Sequence, residues 1–145
     1  MCHALYLGAD RPLAPLLPTT PPTFSVEPLD EAHAAVRDKF PCGWTVYFVG
    51  SHTGCSCGFH SPGAADDGEG FEDEALAGEA AARLRLAEYV AGALGTGARV
   101  ALYDCWDGDE ADPPLCATSA TVAALARARD PVPEGTLVTV ERACD

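Results

Sequence analysis

Two nearly continuous apolar segments, Trp44–Gly50 and Arg99–Cys105, are separated by one long amphipathic stretch, Glu72–Leu94. Trp-Thr-Val-Tyr-Phe-Val-Gly is aromatic and β-branched almost throughout, as an interior strand requires. Between the two segments, Leu76, Ala80, Leu84, Ala87, Ala91 and Leu94 recur at three- and four-residue steps and form one apolar stripe of a helix. Glu72, Asp73 and Glu74 suit the positive end of that helix, and Gly95 can stop it. A strand, a helix and a second strand in succession favour a right-handed crossover within one sheet, at least partly parallel.

The remaining segments add to that unit. Cys2–Gly8 reads as a short strand with Leu5 and Leu7 on one face and Ala4 and Tyr6 on the other, running antiparallel to the others. Residues 11–22 hold five prolines and form a stiff surface segment that leads into an extended piece at 23–26. Asp30 caps a short helix, Asp30–Phe40, which Pro41 stops. Five glycines between Gly54 and Gly70 mark a loop. Trp106–Pro114 reads as an acidic loop, Ser119 as the cap of a helix running to about Arg129, and Thr136–Arg142 as a closing strand. The 145 residues make a single domain, 1–145, of α/β or α+β class. The expected architecture is one mixed sheet of four or five strands with about three helices.

Nine basic against 22 acidic residues leave a net charge of −13. Such a surface repels phosphate backbones and anionic lipid, which argues against nucleic-acid and membrane roles and leaves a basic protein as the possible partner. Met1–Gly8 lacks the basic lead and apolar run of a secretory signal, and no segment has the apolar length of a membrane span. A cytoplasmic location is the expectation. There thiols stay reduced, and clustered cysteines such as the close pair among these seven point to metal or redox chemistry before disulfides.

The most specific motif is Gly50-Ser51-His52-Thr53-Gly54-Cys55-Ser56-Cys57-Gly58-Phe59-His60, directly after the strongest strand. Cys55 and Cys57, one residue apart among glycines, make a compact thiolate hook. Glycine lets the backbone fold closely, and backbone N–H groups can bond thiolate sulfur. If the strands ending at Gly50 and Cys105 are parallel, Cys105 shares the hook's edge of the sheet; if the first strand opposes them, Cys2 joins it. The candidate metal set is Cys2, Cys55, Cys57 and Cys105, with His52 as a ligand or support at its rim. Four thiolates would hold zinc in a closed site, or an iron–sulfur cluster. His60 and His33 are weaker candidates, and Cys42, Cys116 and Cys144 read as bystanders. Asp104, Asp107, Asp109, Glu110 and Asp112 read as a solvated acidic loop beside Cys105, without the spacing of an EF-hand.

Met1-Cys2-x-Ala4-x-Tyr6-x-Gly8, Gly50-Ser51-His52-x-Gly54-Cys55-x-Cys57-Gly58-Phe59 and Cys105-Trp106-x-Gly108-x-Glu110 together resemble a family of small bacterial proteins without an established activity. Those three blocks contain Cys2, Cys55, Cys57 and Cys105. Locally, Cys55-Ser56-Cys57-Gly58 is similar to the Cys-x-Cys-Gly tail of A-type iron–sulfur carriers, a chemical analogy in a different order of elements. The functional expectation is a small metalloprotein holding zinc or an iron–sulfur cluster. The alternatives are a thiol-dependent enzyme using an amino-terminal or loop cysteine, and an acidic interaction module without metal.

Overall fold

The computed structural model describes residues 3–16, 24–51, 56–59, 72–127 and 132–141, in backbone only at 57–58 and 72–80. The chain folds as α+β around one mixed sheet. Its strands are β1 (His3–Ala9), β2 (Ser25–Pro28), β3 (Thr45–Gly50), β4 (Val100–Trp106), β5 (Cys116–Thr121) and β6 (Thr136–Glu141). Their order across the sheet is β2-β3-β1-β4-β6-β5. A 3-10 helix (Glu31–Lys39), a short 3-10 turn (Ser56–Phe59), α1 (Glu72–Gly95) and α2 (Val122–Arg127) complete the described elements.

β1 lies at the centre because both of its faces are apolar. Leu5 and Leu7 enter the core on the α1 side, with Val49, Leu86, Val90 and Leu102. Ala4 and Tyr6 enter the smaller core on the other side, with Val36, Phe40, Tyr103 and Cys105. β1 pairs antiparallel with β3 through Leu5↔Val49 and with β4 through Ala4↔Cys105. β3 and β4 therefore run parallel to each other, as the crossover requires, but with β1 inserted between them. The adjacent parallel pair among the described residues is β5–β6.

Six strands replace the expected four or five, and the reason lies in β5. Cys116-Ala-Thr-Ser-Ala-Thr121 carries no apolar alternation and is almost wholly exposed. It is held by the backbone ladder to β6, which periodicity cannot report. The helix expected from Ser119 begins after Thr121 instead, whose Oγ1 accepts the Ala124 N–H at 3.2 Å. The apolar stripe of α1 also differs. Ala82, Leu86, Ala87, Val90 and Leu94 are buried, whereas Leu84 is 51% exposed. Alanine on every side leaves that helix's orientation weakly specified, and the bulk of Leu86 and Val90 decides it. No described helix is long and apolar enough to cross a membrane.

The Asp30 cap is present, its Oδ1 accepting the His33 N–H at 3.1 Å. The helix that follows is 3-10, and three residues per turn align His33 with buried Val36 on the sheet-facing side. Phe40 ends that helix and packs over Gly8 of β1. A methyl group on Gly8 would lie 2.8 Å from both Cγ and Cε1 of the buried ring. Gly8→Ala is therefore expected to lower stability by about 1–3 kcal/mol through overpacking. Chemical denaturation measures it, and a variant as stable as the parent would show that the ring yields freely.

Candidate functional site

The start of β1, the end of β3 and the end of β4 meet at one edge of the sheet, which is the edge where the hook leaves β3. Ser56 fastens the hook there. Its hydroxyl accepts the Leu5 N–H at 2.8 Å and donates to the Val49 carbonyl at 2.7 Å. These two backbone groups belong to residues paired across β1 and β3, so the hydroxyl bridges the ladder where the strands part. Three residues on, Phe59 is buried against Phe24 with ring centroids 6.3 Å apart. The 3-10 turn thus lies on the α1 side of the sheet, tied at both ends.

Cys2, His52 and Cys55 lie outside the described residues, and Cys57 is described in backbone only. Cys105 is buried, on the opposite side of the sheet from Phe59, among Ala4, Tyr6 and Tyr103. Burial first, then the nearby Glu110, Asp104 and Asp109, pushes its thiol up to about 12. As a neutral thiol it is a core side chain. As a ligand it would need the charge of a bound cation. Cys42 is exposed near the start of β3, at the far edge. Cys116 is exposed too, its Sγ 3.3 Å from Thr136 Oγ1. Cys144 and His60 lie outside the described residues.

On the hook's side of the sheet, the edge carries a histidine that the sequence reading passed over. His3 Nδ1 lies 2.8 Å from Oδ1 of Asp104, which is wholly buried. The imidazole stacks on Trp106 at 4.2 Å between ring centroids. A carboxylate on Nδ1 fixes the ring and directs Nε2 away from Asp104, the arrangement by which proteins orient ligating histidines. Asp104 is therefore a buried partner of His3, not part of a solvated loop.

The other side of the same edge holds a second polar group. β4 ends in the turn Trp106–Asp109, whose Gly108 has φ +106°, a conformation that a side chain would strain. The turn returns Glu110 beneath the sheet, where it is 5% exposed. The Tyr6 hydroxyl donates to Glu110 Oε1 at 2.9 Å, and the Gly108 N–H to Oε2 at 2.8 Å. Burial, then this bond to Glu110, holds the Tyr6 phenol well above its ordinary value. From the 3-10 helix, His33 Nε2 reaches Asp107 Oδ1 at 3.0 Å and Glu110 Oε1 at 3.5 Å, while Nδ1 lies 2.6 Å from Asp30 Oδ1. The bond to Asp30 raises the His33 pKa against a smaller opposing effect of burial, and the bond to Asp107 adds to the rise. Asp30 is lowered in turn, chiefly by its bond to His33. The sequence signal for this group was Gly108-x-Glu110, a turn glycine followed by an acid that the turn carries inward.

The fold and the site thus define a class, an α+β protein with thiol, imidazole and carboxylate groups gathered at one sheet edge. No family model matches the chain, and no curated protein or solved structure matches it either.

Proposed function

We propose that the protein is a small metal-binding protein whose hook thiolates hold zinc or an iron–sulfur cluster at this edge of the sheet. The carrying observation is the anchoring of the hook. Ser56 binds Leu5 and Val49, so the backbone between Cys55 and Cys57 is fixed beside the start of β1, three residues from Cys2. The Asp104-oriented imidazole of His3 stands at the same edge and side. Cys2, Cys55 and Cys57 form the thiolate set, with His3 or His52 as the fourth donor. Cys105 faces the other side of the sheet and is the less suited fourth ligand. Three thiolates and an imidazole make a closed tetrahedral zinc site; a cluster would use the same edge and be coloured.

Anaerobic purification followed by metal and acid-labile sulfide analysis tests this. The expected result is stoichiometric zinc, or iron with sulfide; the Cys55→Ser, Cys57→Ser double variant should lose one zinc per chain, or all iron and sulfide, and Cys105→Ala should lose none. A colourless protein with no stoichiometric metal overturns the proposal. A double variant that retains its metal removes the hook from it.

A further inference from the structure

We infer that His33, Asp107 and Glu110 form a separate cation site on the opposite side of the sheet from the hook, suited to a divalent transition ion that accepts nitrogen and oxygen donors. Three features of the geometry carry this. The first is convergence: one donor atom from each residue lies within 4.8 Å of the others, although His33 comes from the 3-10 helix and the two acids from the loop after β4. The 3.0 and 3.5 Å separations from His33 Nε2, now a hydrogen bond and an ion pair, match the spacing of ligand-to-ligand edges. An ion bonded at roughly 2.0–2.2 Å sets donors roughly 3.0–3.6 Å apart.

The second feature is orientation from outside the donor set. Asp30 holds Nδ1 of His33, which commits the ring to presenting Nε2 to the two carboxylates. Tyr6 and Gly108 each hold one oxygen of Glu110. A buried carboxylate fixed at both oxygens cannot rotate out of the site, whereas Asp107, 57% exposed, leaves it open to solvent and to an arriving ion.

The third feature is charge. Asp30, Asp107 and Glu110 surround one imidazole, and among the described residues none of the three is ion-paired with Lys or Arg. Even a protonated His33 leaves two negative charges uncompensated. A divalent ion on two carboxylates and the unprotonated Nε2 would reduce the three negative charges of the group to one, with water completing the coordination. An imidazole in the set disfavours Ca²⁺ and Mg²⁺, and the absence of sulfur distinguishes the site from the hook.

Mn²⁺ is the probe that separates the two sites, because it prefers carboxylate and imidazole to thiolate. Loss of the free Mn²⁺ paramagnetic resonance signal on titration into the full-length protein reports binding, and Zn²⁺ added afterwards should displace the bound ion. One Mn²⁺ per chain is expected, retained in Cys55→Ser, Cys57→Ser. Asp107→Asn, at an exposed position, should weaken it about 10- to 100-fold with the thermal midpoint unchanged. Glu110→Gln, which can still accept the Tyr6 hydrogen bond but not the one from Gly108 as well, should weaken binding similarly while also lowering the thermal midpoint. Native protein that binds no Mn²⁺, or binds it as tightly after Asp107→Asn and His33→Ala, overturns the inference. Mn²⁺ lost only in the double cysteine variant overturns it as well, by placing the ion at the hook.

Discussion

Ser56→Ala is expected to destabilise the protein by about 2–4 kcal/mol, a large effect for the loss of one oxygen atom. The hydroxyl is fully buried and serves two backbone groups at once, the Leu5 N–H and the Val49 carbonyl. Alanine leaves both without a partner in a water-poor position, and each costs roughly 1–3 kcal/mol when unpaired. Water entering at the open edge recovers part of that. Under the proposed function the same change also releases the hook, so metal content should fall with stability. Denaturant unfolding and metal analysis of one preparation read both effects. A stability change below about 0.5 kcal/mol, the range of ordinary surface substitutions, would show that the strands close over the gap without the hydroxyl. A clear loss of stability with full metal content would detach the metal from this anchor.

The centre of the sheet was legible because its residues are specialised for it. β1, β3 and β4 are apolar on both faces, and such segments have little alternative to an interior position. The relation among them followed from the intervening helix, which makes β3 and β4 parallel, and from the short first strand, which opposes them. The periphery was not legible, since exposed β5 is selected by ladder hydrogen bonds and not by side chains. The same division runs through the site. Thiols announce themselves by type and spacing, so the hook was visible in the sequence. The His33 group was not, because its meaning depends on distance. His33 lies 74 residues from Asp107, and in sequence Glu110 is one acid among many. The Gly108 turn, the Tyr6–Glu110 bond and the packing of Val36 and Phe40 on β1 bring helix, loop and strand together. Tyr6, Gly8, Gly108 and Glu110 are the positions that bond or pack across this side of the sheet.

Raising the pH above about 10 is expected to unfold the protein cooperatively before pH 12. Three acids buried around β1 and β4 stay neutral in the folded chain: Cys105 is pushed up to about 12 from 9.0, Tyr103 to about 12 from 10.0, and Tyr6 upward as well. Burial is the largest cause for all three, followed by Glu110 for Cys105 and Tyr6. A folded-state pKa raised above the unfolded value means that the folded chain holds protons which the unfolded chain has released. The contribution to stability is therefore complete below about pH 9 and is lost as the pH climbs toward 12. Each group removes a little over 1 kcal/mol per pH unit in that window, roughly 4 kcal/mol for the three together. Counted from pH 9 for the thiol and pH 10 for the phenols, the loss near pH 11 is about 5 kcal/mol, enough to unfold a domain at the low end of the usual range of about 5–15 kcal/mol. Circular dichroism and tyrosinate absorption, followed together, should change in one step. Cys105→Ala should move that step upward by removing one of the three protons. Tyrosines that ionise gradually around pH 10, with the fold intact, would mean that water reaches Tyr6 and Tyr103, and that the packing between the 3-10 helix and the sheet is looser than the structure has it.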